Sequence, residues 1–137
     1  QQLARLDADP ALRRQPRWYV PVTGAFRRMH WHRGAVVRAG NPAAGHPTEL
    51  HVVRLGDVAF VTVPFEYYLD FGIHIKARSP AVQTFLVQLA GGGTYVPSPR
   101  SESGGGYGSM AQSNPVGSDG GRILARRIVD ILHALYA

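Results

Sequence analysis

The chain has 137 residues, 45% of them hydrophobic, with no cysteine and a net charge of +6. Such a length suggests one domain, able to bury roughly two-thirds of its unfolded surface. The missing cysteines exclude disulfides, cysteine-ligated zinc and thiol nucleophiles, but they leave secreted, periplasmic and cytoplasmic bacterial settings all open.

The chain opens QQLARLD, without an initiator Met, and no segment has the build of a signal peptide or of a membrane span. Residues 1–15 predict a short helix around Leu3, Leu6 and Leu12, broken or restarted at Pro10. RWYVPV, bracketed by Pro16 and Pro21, predicts an extended segment. Residues 23–48 predict loop, with a strand at Ala35–Arg38. This N-terminal segment, 1–48, is poorly defined by its pattern. Its arginines, Arg13, Arg14, Arg17, Arg27, Arg28 and Arg33 among them, supply a positive quarter. Either it is an ordinary solvated surface or it meets an anionic lipid or polymer. Neither a nucleic-acid motif nor aromatic interleaving of the arginines is present, so no nucleic-acid partner is expected.

From Glu49 the pattern sharpens. ELHVVRL alternates, with Leu50, Val52 or Val53, and Leu55 as core candidates. Gly56-Asp57 is a hairpin turn signal. VAFVTV is the continuous apolar run of an inner strand covered on both faces. Phe65, Leu69, Ile73 and Ala77 recur every four residues and predict one face of a helix over 65–77, ended by Arg78-Ser79-Pro80. VQTFLVQLA predicts a further strand. Strand, helix and strand in that order favour a parallel crossover.

Residues 90–121 hold ten of the sixteen glycines, with Tyr95 and Tyr107 among them. A long stretch without regular structure in a compact domain is commonly a binding loop. Ser118 then has the look of an N-cap. Ile123, Leu124, Ile128, Ile131, Leu132 and Leu135 give the closing helix, 119–135, its apolar stripe. The expected fold is therefore α/β or mixed α+β: a small sheet from 50–55, 58–63 and 82–89, a long Gly-rich loop and a C-terminal helix.

Glu66 follows Pro64 where a strand hands over to a helix. Two readings stand. An acid in a first helical turn interacts favourably with the macrodipole, by about 0.3–1 kcal/mol. A carboxylate at a strand's C-terminal end is also well placed to hold a ligand. Glu66, Asp70 and His74 fall on one helical stripe, which is either solvated or a metal face. His30-Trp31-His32 sets two imidazoles on one side of a strand, a weak chelate signal. Neither a G-x-S-x-G elbow nor a P-loop is present.

The segment from Glu49 to the C-terminus resembles the C-terminal part of the catalytic domain of the neutral, non-lysosomal ceramidase family. The resemblance runs through LGDVAFVTVPFE, IKARSP, TFLVQLAGGGTYVPS, GGGYG and VGSDGGRILARRIVDIL. It implies a zinc-dependent amidohydrolase that cleaves an N-acyl amide, of a sphingolipid or another lipid-like substrate, with a metal-activated water. It also implies that Glu66 and Tyr95 are metal ligands and that Tyr107, twelve positions after Tyr95, lies beside the reacting carbonyl. Phe65 stands where the family has glycine, and Pro97 and Ser98 where it has two threonines. The family's histidine ligands would lie upstream. On this reading residues 49–137 are a ceramidase-like core, and the chain is either one domain over 1–137 or a C-terminal fragment. It would be inactive alone and completed by the remainder of the parent catalytic domain, with a membrane surface as a further partner.

Overall fold

A computed structural model describes residues 1–41, 45–111 and 113–137. The fold is mixed α+β, in two compact units, Gln1–Pro42 and Ala43–Ala137.

The first unit is helical. Helix α1 spans Gln2–Ala8. A 3-10 turn, Pro10–Arg14, follows with Pro10 in its first turn, and the Asp9 carboxylate accepts the Ala11 N–H at 3.1 Å. The break expected at Pro10 is there. The next expectation fails. Neither RWYVPV nor Ala35–Arg38 is extended: Arg17–Tyr19 form turns, and one helix, α2, spans Val20–Gly40. Pro21 lies in the first turn of that helix, where a missing N–H costs nothing. Side chains four residues apart then support it. Phe26 stacks on His30 at 6.2 Å, and the Arg27 guanidinium lies 5.2 Å from the Trp31 ring centre. His30 and His32 are therefore not on one side of a strand. Two residues along a helix turn a side chain by about 200°, which points the imidazoles apart. Of the loop expected over 23–48, residues 42–44 lie outside the described residues.

The second unit begins with a hairpin. Strand β1, His51–Leu55, pairs antiparallel with β2, Val58–Thr62, across Gly56-Asp57. Gly56 has φ +59, a left-handed conformation that glycine adopts without strain. Strand β3 is short, Glu66–Tyr67, and helix α3 spans Leu69–Arg78. Strand β4, Gln83–Val87, returns parallel to β2, giving the sheet order β1-β2-β4. The parallel crossover is as the sequence predicts. Strand β5, Tyr95–Val96, pairs parallel with β3. Helix α4 covers Pro99–Gly104, a 3-10 turn covers Tyr107–Ser109, and α5 spans Gly117–Tyr136. The glycine-rich stretch is thus a series of short elements.

The core lies between one face of the sheet and the two long helices of this unit. Ala59, Val61, Val63, Phe65, Ile75, Val96, Ile128 and Leu132 are buried in it. Each large side chain contributes about 1.5–3 kcal/mol on burial. The buried stripe of α5 is Ser118, Gly121, Ala125, Ile128 and Leu132, whereas Ile123 faces solvent. Gly121 and Ala125 let this helix approach Phe71 and Val96 closely; a Cβ on Gly121 would stand 2.5 Å from Phe71. At its other end the Arg54 guanidinium donates to the Leu135 carbonyl at 2.6 Å and lies over the Tyr136 ring.

Two further expectations fail. Helices α3 and α5 pack together on the same side of the sheet, so VAFVTV is covered on one face only. Val53, Leu55, Phe60, Phe85 and Val87 are exposed on the other, with Phe60 stacked on Phe85 at 5.0 Å. Second, α3 begins at Leu69, so its inward residues are Phe71, Gly72 and Ile75. Leu69 and Ile73, expected inside, are 74% and 59% exposed.

Candidate functional site

The parallel pair β2–β4 continues, past a kink, as the parallel pair β3–β5. Pro64 lacks an N–H and interrupts the ladder. Backbone bonds resume at once: Leu89 N–H to the Phe65 carbonyl at 3.2 Å, Glu66 N–H to Thr94 at 3.0 Å, and Tyr68 N–H to Val96 at 3.2 Å. The register shows what the glycines do. Thr62 pairs with Val87, 25 residues on, but Glu66 pairs with Tyr95, 29 residues on. The second chain is four residues longer across the kink. Gly91 and Gly93 press its excursion against Pro64. A Cβ on Gly93 would stand 1.9 Å from the Pro64 carbonyl oxygen, an approach open to glycine alone.

Glu66 is therefore in a strand, not in the first turn of a helix. Asp70 is the acid of that turn, and the helix-dipole reading of Glu66 falls. The Glu66–Asp70–His74 stripe falls with it. Asp70 meets Arg100 at 3.4 Å. His74 lies near Arg78 and Arg126, and partial burial together with those charges holds its pKa below the ordinary value.

Alternation along β3 now decides which side chains meet. Phe65 and Tyr67 point into the core, and the Tyr67 hydroxyl donates to the buried Gly121 carbonyl. Glu66 points the other way, on the face it shares with its register partner Tyr95. A hydrogen bond from the Tyr95 phenol to the Glu66 carboxylate, reinforced by the carboxylate's charge, raises the phenol's pKa. Tyr107 packs edge-on against Tyr95 with ring centres 5.6 Å apart, and it is 53% exposed. The structure thus brings Glu66, Tyr95 and Tyr107 together at the start of the parallel pair β3–β5.

The loop that carries Tyr107 is tied down along its length. Ser98 caps α4, and Gly105 closes it with φ +71. Both Glu102 oxygens accept from Ser118, one from its N–H at 2.8 Å and one from its hydroxyl at 2.5 Å. Ser118 is thus inside the first turn of α5 and is not its N-cap, which is Val116. Sequence reasoning missed Tyr68. It is half-buried, adds to the charge environment of Tyr95, and seats its hydroxyl so closely on Gly108 that a Cβ there would stand 2.2 Å away. Reading 65–68 as a strand would have put Tyr68 on the Glu66 face, since residues two apart share a face.

Glu66 and Tyr95 offer two oxygen donors on one face, a set that suits a hard or borderline cation. Among the described residues, no three His, Cys, Asp or Glu side chains come together as a metal-binding group. Nor is any described helix long and apolar enough to cross a membrane. Comparison of the chain with family models, curated proteins and solved structures found no match.

The pairing of Glu66 with Tyr95 has a direct signature. A raised phenol pKa means that the folded chain holds this proton more tightly than the unfolded chain. The resulting stability is complete below the unfolded value of about 10 and is lost as pH climbs through the folded value. Glu66→Gln removes the charge, and spectrophotometric titration of Tyr95 is expected to show its pKa fall toward 10. An unchanged titration would separate the two side chains.

Proposed function

We propose that this chain is the C-terminal portion of a zinc-dependent amidohydrolase acting on an N-acyl amide, as its resemblance to neutral ceramidases implies. One observation carries the reading: Glu66 and Tyr95 stand in register on one strand face, with Tyr107 against Tyr95. Glu66 and Tyr95 would hold the metal, with histidines supplied from outside these 137 residues. Zinc, when bound, activates water toward an amide. The chain's own residues do the rest. The Tyr107 phenol donates a hydrogen bond to the amide oxygen as negative charge develops there. Tyr68 and Gly108 shape the wall beside it. Zinc content of the parent protein tests this. Glu66→Gln is expected to lower it from one ion per chain toward none, while equal content in both would remove Glu66 from the site.

A second reading concerns the first unit. Residues 1–42 carry eight arginines against two aspartates, and residues 43–137 carry seven basic against seven acidic residues, so the whole net charge of +6 lies in the first unit. Such a concentration suits an anionic lipid surface. Binding to vesicles containing anionic lipid is expected to weaken steeply as salt rises; binding indifferent to salt, or none, would dismiss it.

A further inference from the structure

We propose that Ser113 is the positioning residue that sets the spacing of the two site phenols. It is 7% exposed, a buried hydroxyl within a loop. Its carbonyl accepts the Tyr95 N–H at 3.1 Å. Its hydroxyl donates to the Tyr107 carbonyl, with the Met110 carbonyl also in reach at 3.1 Å. Its own N–H donates to the Met110 carbonyl at 2.9 Å. One residue therefore grips the backbone of both tyrosines, which lie twelve positions apart in sequence.

Tyr95 is also held from its other side by its pairing with β3, so its place does not depend on the Ser113 hydroxyl. Tyr107 belongs to a three-residue 3-10 turn, and its carbonyl has the Met110 N–H as a second partner at 3.3 Å. Without the Ser113 hydroxyl, the Tyr107 carbonyl would lose its shorter bond and keep this longer one. The hydroxyl therefore acts on Tyr107 and leaves Tyr95 in register. The functional consequence rests on the amidohydrolase reading; the structural consequence does not.

The test uses this chain and NMR. In Ser113→Ala, the contact between the Tyr95 and Tyr107 rings, read as ring-to-ring NOEs, is expected to disappear. The β3–β5 register, read as backbone NOEs between Glu66 and Tyr95, is expected to persist, and Ser113→Thr, which keeps the hydroxyl, is expected to restore the ring contact. NOEs that survive in Ser113→Ala would overturn the proposal. So would loss of both the ring contact and the Glu66–Tyr95 backbone NOEs, because Ser113 would then hold the loop's fold and not the phenol spacing. In the parent protein Ser113→Ala is expected to lower kcat on an N-acyl amide by about 10²-fold, as for a misplacement near 1 Å, with zinc content unchanged. A parent without zinc or amidase activity would sink the amidohydrolase reading and leave the NMR result standing.

Discussion

Gly93→Ala is expected to destabilise the second unit by about 3 kcal/mol, the upper end of the usual range for overpacking. The added methyl would overlap the Pro64 carbonyl and come within 2.8 Å of the Phe65 Cα. Backbone atoms cannot swing aside as a side-chain tip can. Relief requires the excursion to lift away from Pro64, and lifting it breaks the Glu66-to-Thr94 bond that starts β3–β5. Thermal unfolding reads the stability, and Tyr95 titration reads the register. Both are expected to change together. Gly92→Ala is the control, since a Cβ there meets nothing within 4 Å. Equal melting of the two variants would show that the chain does not press on Pro64.

Tyr107→Phe is expected to lower kcat of the parent protein on an N-acyl amide by about 10²–10³-fold, the usual loss for one oxyanion donor. Zinc content and KM are expected to stay near those of the parent, because Phe keeps the edge-on packing against Tyr95 and loses only the hydroxyl. The ring contact at 5.6 Å is what makes this separation clean. A variant with undiminished kcat would take the Tyr107 hydroxyl out of the reaction.

Much of the second unit was legible in its sequence. Period-two alternation and Gly56-Asp57 predict the hairpin, and apolar runs bounded by Pro64 and Pro80 predict the crossover. These signals are local and strong. The first unit was legible only at its start, where a short helix broken at Pro10 is predicted and found; beyond it, glycine and proline density reads as loop. Pro21 in a first turn and the four-residue couplings Phe26–His30 and Arg27–Trp31 favour helix instead. Glu66 was assigned to the wrong element for a related reason. Phe65, Leu69, Ile73 and Ala77 have helical spacing, and a two-residue strand leaves no periodic signal of its own. Its partners, Thr94 and Tyr95, lie nearly thirty residues away, beyond any local pattern.

The candidate site was legible in part. The resemblance to neutral ceramidases implies that the Tyr95 and Tyr107 phenols meet the Glu66 carboxylate, and the three are brought together. Tyr68 was hidden by the helical reading of its segment. Ser113 and Glu102 were hidden because their partners are backbone atoms and a helix start, which residue type does not announce.

Anomalous diffraction at the zinc edge, from crystals of the parent protein loaded with zinc, addresses the central matter most directly. One peak touching both the Glu66 carboxylate and the Tyr95 phenol oxygen, with Tyr107 beside it, is the expected result. A zinc peak held by other side chains, with Glu66 and Tyr95 still bonded to each other and no metal between them, would contradict the account.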